Sequence, residues 1–186
     1  MMVKNIIINV CKLINRKDVI SYLNGDIELN EEIEELLNDL LLSVNMANNS
    51  IASNYIPIKN NVKLKNSDGM ILFKNMSDKD ILEIYSIKKN NNKVSNYKLV
   101  SNGIVIDNGD YEIEFSVFPD EVGIEDVIDY YFKINEFIFS QLVLSEYYFL
   151  KGFNDEANIW DSRFNNQIKS LLRVKTNILL PEKRWL

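Results

Sequence analysis

The sequence predicts an α+β fold from three observations. Apolar residues recur at helical spacing over roughly the first 55 residues, alternate with a period of two from about 62 to 118, and return to helical spacing from about 122. The expected architecture is a four-helix bundle with an antiparallel β-hairpin or small-sheet insertion between the second and third main helices. One domain is expected over 1–186: helices within about 3–55 and 122–176, the β insertion at about 62–118, and a C-terminal arm at 177–186.

The first helix rests on Ile6, Ile7, Val10, Cys11 and Ile14 at helical spacing between Val3 and Asn15, and Asn24-Gly25 marks a turn after it. Asn30 is a good N-cap, with Glu31 and Glu32 at the positive end of the helix dipole. The helix that follows carries Ile33, Leu36, Leu37, Leu40, Leu41, Val44, Ala47 and Ile51 on one stripe. It should end near Asn54, because Pro57 and the residue before it resist helix.

In the middle, "VKLK", "NSDG" and "MILF" read as a hairpin, and "ILEIYSI" as a third strand turning at Asn90-Asn91-Asn92. "KVSNYKL" and "GIVI" read as further strands, with "DNGD" as another hairpin turn. In "YEIEFSVF", Tyr111, Ile113, Phe115 and Val117 face one way, and Glu112 and Glu114 the other. Pro119 ends the β region. The stretch from Ile134 to Tyr148 is apolar on most sides, as a central helix would be, and stops near Gly152. Asn154 caps the last helix, whose stripe is Ala157, Trp160, Phe164, Ile168, Leu171 and Leu172, with Arg173 and Lys175 at its negative end.

Composition removes several chemistries. The net charge of −6 argues against a broad basic face gripping nucleic acid. With no histidine, a His-containing triad is impossible and the commonest zinc and iron ligand is missing. Cys11, the one cysteine, can form no intramolecular disulfide and reads as a buried thiol. No secretory signal is evident, and no apolar run approaches the ~18 residues of a membrane span.

Four features are candidates for function. The acidic stretch "PDEVGIEDVID", with Asp120, Glu121, Glu125, Asp126 and Asp129, could hold a divalent metal. The plainer reading is a solvated acidic face at a helix N-terminus. "NSDG" and "DNGD" lack the ligand spacing of a calcium loop. The aromatic set Tyr130, Tyr131, Phe132, Phe137, Phe139, Tyr147, Tyr148 and Phe149 goes nearly round a helix, more than four helices can cover, so part is expected to meet a neighbouring subunit. The closing "LLPEKRWL" supplies a protein-interface candidate: Leu179, Leu180, Pro181, Lys183, Arg184, Trp185 and Leu186. Tryptophan and arginine are enriched at interface hot spots, and proline detaches the arm from the helix before it. No catalytic, metal or cofactor-binding residue is assigned.

The stretch "EYYFLKGFNDEANIWDSRFNNQI" resembles the C-terminal helical hairpin of the head–tail adaptor (head-completion or connector) proteins of tailed bacteriophages, including the tail tubular protein A family. The matching residues are Glu146, Gly152, Asp155, Glu156, Ala157, Trp160, Arg163 and Phe164. The "YLNGD" turn, the long helix ending "IASNYIP", the strand-rich middle before a helix after Pro119, and the closing "PEKRWL" are similar as well.

The resemblance implies a non-enzymatic virion protein at the head–tail junction, made in the bacterial host cytoplasm. It implies a ring of identical subunits, commonly a dodecamer, seated under the portal protein and extending the DNA channel for genome ejection. Its partners would be the portal, neighbouring copies and a downstream tail protein. DNA would pass without sequence-specific binding, with no membrane and no cofactor involved. The alternatives are another phage neck or tail-completion component, a cellular protein-binding adaptor module, or a metal-dependent hydrolase built on the acidic cluster.

Overall fold

The structure, a computed structural model, describes residues 1–129 and 134–172. In chain order the described residues form α1 (Val3–Leu13), α2 (Lys17–Asn24), α3 (Glu31–Asn54), β1 (Ile58–Asn66), β2 (Met70–Leu72), β3 (Ile81–Lys89), β4 (Asn92–Lys93), β5 (Lys98–Val100), β6 (Gly103–Val105), β7 (Gly109–Val117), α4 (Glu136–Leu150) and α5 (Asn154–Leu172). One 3₁₀ turn, Phe73–Asn75, follows β2.

The α+β class stands, but the four-helix bundle with a hairpin between its second and third helices does not. Five helices and two antiparallel sheets are present among the described residues, and the strands fall between α3 and α4. Asn15 breaks the first helical stretch by taking φ +60°, and the chain then starts α2 as a separate helix. Two compact units result among the described residues: 1–40 together with 124–129 and 134–172, and 41–123.

The first unit buries one face of α1, with Val3, Ile6, Ile7, Val10 and Cys11 inside. On α3, Ile33, Leu36, Leu37 and Leu40 are buried, and Asn30 caps the helix by accepting from the Ile33 N–H at 2.9 Å, an interaction worth about 1 kcal/mol. The central helix is α4, where every residue from Ile138 to Ser145 is buried. It starts at Glu136, not soon after Pro119, and the Asn135 side chain caps it by accepting from the Ile138 N–H at 2.9 Å. The segment before it, from Ile124 to Asp129, is not helical. Its Ile124 and Asp126 carbonyls each accept, at 3.0 Å, from the Lys4 and Val3 N–H groups that open α1, donors that have no partner within the helix.

The second unit is a two-sheet β structure. One sheet runs β1-β7-β3-β4 and the other β2-β6-β5. The expected β1–β2 hairpin is absent, because β1 pairs along its whole length with β7, and β2 pairs with β6. "NSDG" and "DNGD" are therefore facing kinks in one antiparallel ribbon that leaves the first sheet at Asn66↔Gly109 and enters the second at Met70↔Val105. Asn66, buried, holds the kink: its Nδ2 donates to the Ile106 and Asp107 carbonyls at 2.8 and 3.1 Å. Gly69 takes φ +72°, its N–H donates to Asn108 Oδ1 at 3.0 Å, and its carbonyl accepts from Ile106 at 3.0 Å.

The third strand does turn at Asn90-Asn91, both at positive φ as a tight hairpin requires, so that Lys89 faces Asn92. The core between the sheets contains Ile71, Met76, Ile87, Ile104, Ile106, Tyr111, Ile113, Phe115 and Val117. The alternation read in "YEIEFSVF" is observed, with Glu112 and Glu114 on the outer face. Far along the chain, Asn45 of α3 clasps the backbone of Val122, accepting from its N–H at 2.8 Å and donating to its carbonyl at 3.1 Å.

Candidate functional site: the α4–α5 hairpin

Leu179, Leu180, Pro181, Lys183, Arg184, Trp185 and Leu186 fall outside the described residues, as do Tyr130, Tyr131 and Phe132. What the structure does bring together is the hairpin of α4 and α5, which carries Glu146, Gly152, Asp155, Glu156, Ala157, Trp160, Arg163 and Phe164.

The turn is built by backbone hydrogen bonds around one glycine. Gly152 takes φ +80°, a left-handed conformation that other residues adopt at a cost. Its N–H donates to the Phe149 carbonyl at 3.0 Å, and the Phe153 N–H reaches back to the Tyr148 carbonyl at 2.9 Å. This pair of bonds is a Schellman motif, and its usual apolar contact is present: the Tyr148 and Phe153 rings meet edge to face with centroids 6.3 Å apart. Asn154 then opens α5, with Asp155 and Glu156 exposed in its positive first turn.

Between the helices the contact is close and partly polar. Ala157 is buried, and Ser145 Oγ donates to its carbonyl at 2.8 Å. Phe164 and Ile168 are fully buried. Gln167 Nε2 donates to Gln141 Oε1 at 3.1 Å, which supplies a partner for a glutamine in the buried run. Trp160 is half-buried and the Arg163 guanidinium lies 4.6 Å from its ring centre. Of the expected stripe, Leu171 is exposed instead. Burial raises the Glu146 carboxyl above its ordinary value, and the nearby charge of Asp161 adds to the effect.

The end of α4 is tied down by charge. Lys151 pairs with Asp39 of α3, and Arg16 pairs with Asp18 at 2.7 Å and Glu32 at 3.2 Å. The Asp39 hydrogen bond raises the Lys151 ammonium, and the Arg16 hydrogen bond lowers the Asp18 carboxyl. Arg16, Glu32, Glu35, Leu36, Asp39, Tyr147 and Lys151 line a small polar cavity of about 150 Å³. The Lys151–Asp39 and Arg16–Glu32 pairs gave no sequence signal, since their partners are far apart in the chain.

Beyond the turn the surface is apolar. Phe149 is 62% exposed and Phe153 54%, with Leu150 between them also exposed. Of the aromatic set expected in part to meet a neighbouring subunit, Phe137 and Phe149 are exposed, Phe139 is wholly buried, and Tyr147 and Tyr148 are half-buried.

The other candidates rearrange. The acidic stretch is not a helix N-terminus: its backbone caps α1, Asp120 pairs with Lys79, and Glu121, Glu125, Asp126 and Asp129 are exposed. No group of three His, Cys, Asp or Glu residues suited to a metal occurs among the described residues. Cys11 is buried, and its surroundings push the thiol up to about 12, first by desolvation and then by Asp18. No described helix is long and apolar enough to cross a membrane. A comparison with protein-family models returns no match, and no curated protein is significantly similar to the chain.

Proposed function

We propose that the chain is a structural virion protein of a tailed phage, joining the portal to the tail as a ring of identical subunits that extends the DNA channel. The α4–α5 hairpin carries this reading. The residues of the adaptor-like motif fall at its turn, at the close approach of the two helices and on its outer face. The turn ends in exposed Phe149, Leu150 and Phe153. Three large apolar side chains exposed within one five-residue turn suit a protein partner better than solvent. With the four-helix bundle set aside, the hairpin and its apolar end are the support for this assignment.

Two further properties agree with it. A chain of net charge −6 repels phosphate, as a channel wall must if DNA is to pass without sticking. The Lys183, Arg184 and Trp185 arm offers a second, cationic contact for the portal or a neighbouring copy. The test is electron microscopy of the purified chain mixed with the portal protein encoded in the same genome. Ring-shaped density below the portal is expected, and should be lost when residues 177–186 are removed. A chain that never associates with that portal would end the proposal.

A further inference from the structure

Three elements of the first unit come together at one end. α5 has 19 residues against the 15 of α4 and returns antiparallel to it, so it runs about one turn past the start of α4. Leu171, next on the buried stripe after Phe164 and Ile168, has outrun its partner helix and is exposed. α1 starts at the same end. The Met2 N–H and Asn5 Nδ2 each donate to Glu136 Oε1 at 3.3 Å, and Ser140 Oγ lies 3.4 Å from the Ile6 carbonyl, so α1 and α4 run side by side from a common start.

This end is apolar and acidic. Met2 and Val127 form an antiparallel bridge. It is flanked by bonds from the Val3 N–H to the Asp126 carbonyl at 3.0 Å and from the Ile128 N–H to the Met1 carbonyl at 2.8 Å. That pattern marks a non-hydrogen-bonded pair, whose side chains stand together on one face. Both are exposed, Val127 at 59%, and Phe137 in the first turn of α4 is 53% exposed. Around them Glu125, Asp126, Asp129 and Glu136 stand against Lys4 and the Met1 ammonium. The chain holds a segment of the opposite charge. The fourteen residues after Leu172 carry Ile178, Leu179, Leu180 and Trp185, with four cationic side chains and one carboxylate, Glu182. They set out from this same end, and when extended they reach about 45 Å, several times the roughly 10 Å between packed helices.

We propose that this arm folds back over the end of its own chain, its apolar residues against Met2, Val127 and Phe137 and its cations against the carboxylates around them. A tether this short holds the arm at about millimolar effective concentration, so contacts too weak to join separate chains suffice. Only one consequence rests on the adaptor reading: a portal must draw the arm off this end to use Lys183, Arg184 and Trp185. The free chain then keeps its arm to itself until a portal is present.

The test is fluorescence of the full chain carrying Trp160→Phe, which leaves Trp185 as the one tryptophan. At about 50 mM salt acrylamide should quench Trp185 at least about threefold more slowly than an open indole, and about 500 mM salt should narrow the difference. Glu125→Lys with Asp129→Lys, and separately Val127→Ser with Phe137→Ser, should open Trp185 to the quencher. All four side chains are exposed, so thermal melts should stay near the parent. Adding Lys183→Glu and Arg184→Glu to the first pair should restore protection. Phe149→Ser, at the far end of α4, should change nothing, and neither should dilution. Trp185 open at low salt, or protection indifferent to both surface pairs, would overturn the inference. So would protection lost with Phe149→Ser, which puts the arm on the hairpin turn, or lost on dilution, which gives it to a second copy. A protected arm on a chain that no portal binds would sink the adaptor reading and leave this contact standing. Portal rings built from a chain whose free form has Trp185 open would do the reverse.

Discussion

Tyr148 and Phe153 stand edge to face across the turn that Gly152 makes between α4 and α5, with ring centroids 6.3 Å apart. The contact closes a turn whose backbone bonds already satisfy the last carbonyls of α4. Gly152→Ala should destabilise the chain by about 1–2 kcal/mol, since a Cβ disfavours the left-handed conformation although space is open there. Urea midpoints measure it, and an unchanged midpoint would contradict this account of the turn.

The apolar end of the hairpin should separate stability from assembly. Phe149→Ser changes a side chain 62% exposed, so stability should move by less than about 0.5 kcal/mol. Portal binding, if this end docks there, should weaken by at least about tenfold. Titration calorimetry beside a thermal melt reads both quantities.

Glu146 sets a pH dependence. Burial raises its carboxyl in the folded chain, so the folded state binds this proton more tightly than the unfolded one. Its contribution is fully present below the ordinary value of 4.5 and is lost as pH rises through the elevated folded value. Glu146→Gln should therefore raise stability at pH 7 and remove this part of the decline between acid and neutral pH. Urea titrations across that range would show equal slopes if the idea is wrong.

Cys11 should be silent toward thiol reagents in the folded chain, with its thiol at about 12 against an ordinary 9.0. The folded state prefers the neutral thiol, so stability from this group is present below pH 9 and lost as pH rises toward 12. Reaction with a chromogenic disulfide at pH 8 should track unfolding. Rapid native labelling would show the site to be open.

The kink between the two sheets should depend on Asn66. Asn66→Ala leaves the Ile106 and Asp107 carbonyls without that donor and should cost about 1–3 kcal/mol. Amide exchange in β2 and β6 should rise at the same time, and unchanged protection would show the ribbon kinks without it.

Much of the helical part was legible because its signals are local. Asn30 capping, the α3 stripe, its end at Asn54 and the Gly152 stop each involve residues within a turn or two of one another. The turn at Asn90-Asn91 and the faces of "YEIEFSVF" were equally local. Pairing was different. "NSDG" and "DNGD" carry the residues of hairpin turns, yet they became facing kinks, because β1 gains nine paired residues by joining β7 and β2 offers only three. The acidic stretch looked like a helix start because carboxylates favour one, but the α1 N-terminus took its carbonyls instead.

By itself the sequence determined the α+β class, the removal of histidine chemistry, the Asn30 cap, the helix stops at Asn54 and Gly152, and the hairpin whose motif suggests an assembly role. Tertiary structure alone decided the strand order, the ribbon that changes sheet, the Lys151–Asp39 and Arg16–Glu32 ties, and which apolar residues stay outside. The physical reason is range. Capping and periodicity act within a few residues, whereas strand partners, ion pairs and burial are chosen among segments tens of residues apart and follow no spacing visible along the chain.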